Sequence, residues 1–186
     1  MIIAYYRAEN RNFCYQPAQN HRKLAATMAL EPLETAEAHD MPLVVQLSVF
    51  IDDRVGQLLR LTQIFEKTPI HIMGLMVVNL TDSAVVRLIV DKPDEAAKLL
   101  RNHHFPVKET EILVVCVPEG KRGLLKLWAA ILSAEINVYY TYALLGLSHG
   151  HPALAIHAEN MSTATDALRR HRFVVLAQSD LQSDFI

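Results

Sequence analysis

Between residues 45 and 51, Leu47, Val49 and Ile51 alternate with Gln46 and Ser48, the two-residue period of a strand. Asp52-Asp53-Arg54 breaks the alternation, and either aspartate is a residue type that caps a helix. Leu58, Leu61, Ile64 and Phe65 then recur at helical spacing, and Thr68-Pro69 ends that helix. A second strand is expected over residues 70–78, a turn at Thr81-Asp82-Ser83, and a third strand over residues 85–90. Asp91-Lys92-Pro93-Asp94 opens a second helix by a cap and a first-turn proline, with Ala96, Leu99 and Leu100 facing inward. Phe105-Pro106-Val107 begins a short fourth strand.

The same order then returns. Residues 112–117 read as a strand and Pro118-Glu119-Gly120-Lys121-Arg122-Gly123 as a loop; Leu124, Leu127, Trp128 and Ile131 make a helix face. Strands follow over 136–145 and 154–158, a helix over 162–171 and a last strand over 173–177. Ile70-His71-Ile72 matches Ile136-Asn137-Val138 at an offset of 66 residues. Arg101-Asn102-His103-His104-Phe105 matches Arg169-Arg170-His171-Arg172-Phe173 at an offset of 68. Self-similarity at a fixed offset is the signature of a repeated structural unit. The chain divides accordingly into an arm (1–40), a first unit (41–110), a second (111–180) and a tail (181–186). The arm, rich in Asn, Gln, Pro, Glu and Ala, is expected to be weakly structured or a non-native extension.

A strand–helix–strand–strand–helix–strand unit sets both helices on one face of a four-stranded antiparallel sheet. The second strand is nevertheless apolar on both faces. Strict alternation assigns Ile70, Ile72, Met76 and Val78 to one face and Met73, Leu75 and Val77 to the other. In the second unit Val138, Tyr140, Tyr142 and Leu144 alternate with Tyr139, Ala143 and Leu145. Something must cover the open face: a second copy of the protein, a partner, or the 1–40 arm.

Composition narrows the function classes. Of the 186 residues 51% are hydrophobic, enough for a real core, and a net charge of −2 offers no basic field for nucleic acid. The apolar runs are too short to span a bilayer, and Met1-Ile2-Ile3-Ala4-Tyr5-Tyr6 lacks a signal-peptide centre, so the expected location is cytoplasmic. Cys14 and Cys116 show no framework spacing. His149-Gly150-His151 is a tight two-histidine turn without a Cys or acidic cluster, so no metal is expected. No nucleophile–base pair, phosphate loop or paired carboxylates is placed by any motif, so neither catalysis nor a cofactor is expected. Nor are there aromatics on the third strand, residues 85–89, as an RNA-binding sheet would need.

The ordered set of residues 47–58, Ile70-His71-Ile72 and residues 86–96, found twice over, resembles the ACT domain, a small amino-acid-binding module of metabolic regulation. The arrangement from Met41 to Asp180 is similar to stand-alone tandem ACT proteins. The resemblance implies an α+β fold of two ferredoxin-like units side by side. It also implies a regulatory protein, without catalysis of its own, that senses an amino acid where two ACT units meet, as a homodimer. The other reading is a regulatory subunit of an amino-acid biosynthetic enzyme, similar to the acetolactate synthase small subunit, with that enzyme as partner.

By the same resemblance, Asp52, Asp53, Arg54, Val55, Gly56 and Gln57 form one wall of the ligand site, and Asn79 is a polar contact from the second strand of a neighbouring unit. The chemistry suits an amino acid. A helix N-terminus offers free N–H groups to a carboxylate, Gly56 permits close approach, and Asp52 or Asp53 can pair with an ammonium group. The family often has proline before the loop glycine, where Val55 stands here. In the second unit Arg122 falls opposite Gly56, which disfavours an equivalent second site.

Overall fold

The computed structural model describes residues 42–81, 83–145 and 151–183. The 1–40 arm and the His149-Gly150 pair lie outside the described residues. The elements in order are β1 (Val44–Asp52), α1 (Gln57–Gln63), β2 (Ile72–Asn79), β3 (Ser83–Val90), α2 (Pro93–Asn102) and β4 (Val107–Cys116). They are followed by α3 (Gly123–Leu132), β5 (Val138–Ala143), β6 (Ala153–Ala158), α4 (Met161–Arg170), β7 (Val175–Leu176) and α5 (Gln178–Ser183).

The two units share a strand. Residues 107–112 of β4 pair with β1, and residues 113–116 pair with β6. Val114 and Val115 also pair with β7. Segment 107–116 contains no glycine or proline to interrupt it, so the expected division between residues 110 and 111 falls inside one continuous strand. The sheet runs β2-β3-β1-β4-β6-β5, and each unit keeps the antiparallel ferredoxin-like order.

The repeat extends to backbone detail. β2 and β5 each carry a register irregularity, between Ile72 and Gly74 and between Val138 and Tyr140, 66 residues apart. α2 and α4 end identically: Phe105 N–H donates to the Leu100 carbonyl at 3.0 Å and Phe173 N–H to the Leu168 carbonyl at 2.9 Å. In each case the preceding residue, His104 or Arg172, is left-handed at φ 63°. This is the Schellman closure of a helix, built here without glycine.

Helices of both units cover one side of the sheet. Leu47, Val49, Val86 and Leu88 pack with Leu61 of α1 and Ala96 and Leu100 of α2. Leu113, Val115 and Ile156 pack with Leu127 and Ile131 of α3 and Leu168 of α4. The opposite faces of the two units close on each other: Val44, Met73 and Ile89 share a core with Ile112, Val114, Leu144, Ala155, Leu176 and Leu181. The sheet curls until its two ends touch, at an antiparallel bridge between Gly74 and Leu144, and Leu145 N–H reaches the Met73 carbonyl at 2.7 Å. The apolar open face expected from the sequence is thus covered within the chain.

The C-terminal segment completes the closure. A tail was expected from residue 181, but Leu181 is fully buried in the inner core, and residues 178–183 form α5. Gln178 joins α5 to the first unit: its Oε1 accepts from Val45 N–H at 3.1 Å, and its Nε2 donates to the Val90 and Asp91 carbonyls at 3.0 and 3.2 Å.

Candidate functional site

The β1–α1 loop holds six of the seven residues singled out from the sequence. Asp52 ends β1 opposite Ser83, and a tight turn follows in which Arg54 N–H donates to the Asp52 carbonyl at 2.9 Å. Neither aspartate caps α1. The N-cap is Gly56, left-handed at φ 89°, with no side-chain hydrogen bond, because the chain must reverse sharply there and only glycine does so without strain. A side chain at Gly56 would meet nothing within 4 Å, so the approach to this backbone is open. Asp52, Asp53, Arg54, Val55 and Gly56 are all exposed, and Gln57 is half-buried. Asn79, exposed at the end of β2, stands opposite Ala84, which pairs in turn with Ile51. The register therefore brings Asn79 to the same end of the sheet as the loop.

The corresponding loop of the second unit has a different shape. Its left-handed residue is Gly120 at φ 97°, and Arg122 takes the N-cap of α3 at φ −103°. Gly123 lies against the Pro118 carbonyl, where an added Cβ would come within 2.1 Å. The open glycine immediately before α1 has no counterpart before α3. What the two units do share is an exposed leucine pair in the first turn of the helix, Leu58-Leu59 and Leu124-Leu125.

A second cluster lines the concave side of the curl, at its polar end. Gln46 is completely buried. Its Oε1 accepts from the Tyr142 hydroxyl at 2.9 Å, and its Nε2 donates to the Tyr140 oxygen at 3.0 Å and to Ser48 Oγ at 3.3 Å. The Arg87 guanidinium lies 3.5 Å from the centre of the Tyr140 ring. His157 stacks on Tyr140 at 4.9 Å with 3° between the planes. Its Nδ1 is buried and has no hydrogen-bond partner among the described residues. Burial, then the nearby charges of Arg87 and Lys108, lowers the His157 pKa. Burial, then Tyr140, raises the Tyr142 hydroxyl far above its ordinary range against the opposing pull of Arg87. The sequence assigned Tyr140 and Tyr142 to one strand face; their meeting with Gln46 and Arg87 was not legible, because only the curl brings β5 and β6 against β1 and β3.

Among the described residues no group of three or more His, Cys, Asp or Glu side chains is placed to hold a metal ion. His151 is buried, with neither ring nitrogen hydrogen-bonded among the described residues. No helix among the described residues is long and apolar enough to cross a membrane.

Residues 42–184 match the family of the ACT domain pair, and the chain belongs to that family. No curated protein sequence matches the chain. Among solved structures it is similar to protein BT0572 from Bacteroides thetaiotaomicron, at 26% identity and a TM-score of 0.69 over 76% of this chain and 97% of that one. It is also similar to the ligand-free regulatory subunit of aspartate kinase from Thermus thermophilus, at 17% identity and a TM-score of 0.50 over 71% of this chain and 94% of that one. ACT domains are regulatory modules, and the chain carries two of them.

Proposed function

We propose that this ACT domain pair is a sensor without catalysis of its own, and that it binds a small amino acid at the β1–α1 loop of its first unit. The observation that carries this reading is the open, left-handed Gly56 at the start of α1, within a chain that matches the ACT pair from residue 42 to residue 184. The ligand carboxylate meets the free N–H groups at the start of α1, Asp52 or Asp53 takes its ammonium group, and Arg54, Val55 and Gln57 complete the wall. A second copy of the chain covers the loop and supplies Asn79 from its β2. The exposed Val55, Leu58, Leu59 and Val77 around the loop and along β2 support an interface there.

The same exposed leucines favour a second reading, in which the occupant of this surface is a metabolic enzyme and the chain is its regulatory subunit. Both readings place the protein in the cytoplasm.

Thermal unfolding of the full chain against the standard amino acids at millimolar concentration tests the sensor. A ligand at about a hundredfold its dissociation constant adds roughly 2.7 kcal/mol, and each kcal/mol moves the midpoint of a chain this size by about 2–4 °C. The expected result is a shift of several degrees for one amino acid, lost in Gly56→Leu and in Asp53→Ala. No shift across the panel rejects the sensor and favours the subunit.

A further inference from the structure

The polar end of the curl carries two cations, Arg87 and Lys108, that no carboxylate pairs among the described residues. Arg87, Ser48 and Lys108 stand in one cross-strand row, since Arg87 and Lys108 both pair with Ser48, from β3 and β4 on either side. The row belongs to the concave face, because Ser48 lies in the same alternation as Val44 and Gln46. Against it, from the far side of the curl, come Tyr140 and His157.

Gln46 Nε2 donates to the Tyr140 oxygen, so the Tyr140 hydroxyl hydrogen points elsewhere. The Arg87 guanidinium lies over the Tyr140 ring, and its N–H donors are paired with no carboxylate among the described residues. The salt bridges among the described residues are His71–Asp91 and Arg101–Glu109, so neither Arg87 nor Lys108 is paired with a carboxylate. His157 Nδ1 adds a buried ring nitrogen without a partner. The glutamates of this part of β4, Glu109 and Glu111, alternate onto the helix side, opposite Leu47 and Val45. Asp52 lies farther along the concave face of β1, four residues beyond Ser48, and Glu159 lies two residues beyond His157. Stacking against Tyr140 accounts for Arg87 as a structural residue. Lys108, exposed in the same row, adds a second cation that no carboxylate pairs among the described residues.

We propose that the polar end of the curl, built from Arg87, Lys108, Tyr140 and His157, is a binding site for a small dianion, distinct from the β1–α1 loop. Two positive charges in one cross-strand row, beside the Tyr140 hydroxyl, suit two oxyanion charges, as in a phosphate group or a short dicarboxylate. The site lies between the two units, so its occupant ties β3 and β4 to β5 and β6.

Titration calorimetry of the full chain at low salt tests this with two probes, inorganic phosphate and succinate. Binding of phosphate alone assigns a phosphoryl group, binding of succinate alone a dicarboxylate, and binding of both a site that reads charge. In each case Arg87→Gln and Lys108→Gln are expected to weaken binding by about tenfold or more, the loss of one charge-assisted hydrogen bond. Tyr140→Phe keeps the stacked ring, removes the hydroxyl donor, and is expected to weaken binding severalfold. The His157 ring resonances are expected to move on addition of the bound probe and to stay still in Arg87→Gln. Gly56→Leu is expected to leave probe binding unchanged, so the outcome is independent of the loop site. Circular dichroism identifies any variant that fails to fold, and the remaining two then decide. The proposal is overturned if neither probe binds, or if a bound probe is held equally well by the folded variants.

Discussion

Gly74 and Leu144 meet in an antiparallel bridge although β2 and β5 stand at opposite ends of the strand order. The approach is close at Gly74: a Cβ there would lie 3.3 Å from Cε2 of Tyr142. Because that neighbour is the edge of a ring that can shift slightly, Gly74→Ala is expected to cost no more than about 1 kcal/mol, and the bulkier Gly74→Val about 1–3 kcal/mol. Gly123 is different, since its obstacle at 2.1 Å is the Pro118 backbone carbonyl. Gly123→Ala is expected to cost roughly 3 kcal/mol or more. Urea unfolding of the three variants checks the order; a Gly123→Ala protein as stable as Gly74→Ala would contradict the close approach.

The same bridge marks where sequence reading stopped. Alternation in β1 and β3 and the 66- and 68-residue offsets made both units legible, because a two-residue period and a repeated helix end are local patterns. Strict alternation then misassigned β2. The irregularity between Ile72 and Gly74 resets the phase, so Leu75 joins Ile70 and Ile72 on the helix side. Met73 instead faces inward, and Met76 sits beside Arg87 in register. A β-bulge leaves no certain mark in a run of apolar residues. Nor does a period say what covers a face, which is why a second copy, a partner or the N-terminal arm was expected where the second unit closes the curl. At the loop, the glycine and its position before α1 were legible, whereas aspartate capping was not realised, because Gly56 itself takes the N-cap.

His104 and Arg172 occupy the left-handed position of the same helix-ending turn, each at φ 63°. A residue with a Cβ is strained there by about 1–2 kcal/mol, and glycine offsets part of that relief by its freedom in the unfolded chain. His104→Gly and Arg172→Gly are each expected to stabilise the protein by about 0.5–1 kcal/mol. The sites lie in different units, so the double variant is expected to show the sum within about 0.5 kcal/mol. Denaturant midpoints provide the comparison; a loss of stability in both variants would remove the strain argument.

Gln46 is the buried hub that satisfies two tyrosine hydroxyls from the other unit. Gln46→Leu preserves volume roughly and strands both phenols, each at about 1–3 kcal/mol. The expected loss is therefore at least about 2 kcal/mol. In a Tyr140→Phe, Tyr142→Phe background the same change is expected to cost much less, since no hydroxyl is left without a partner. Equal costs in the two backgrounds would show that the network contributes nothing beyond packing.

The lowered pKa of His157 sets a pH dependence whose sign is fixed. The unfolded chain takes up the imidazole proton at about pH 6.5, whereas the folded chain resists it to lower pH through burial and the charges of Arg87 and Lys108. Above about pH 6.5 both states are neutral at this ring and it adds no pH dependence. As the pH falls below that value the unfolded state binds the proton first, so folded stability declines until the folded ring also titrates. Melting temperatures of the wild type and His157→Gln between pH 7.5 and 5 are expected to diverge in slope, with the variant flatter below about pH 6.5. Parallel curves would mean that His157 titrates alike in both states, and that the two cations do not bear on it.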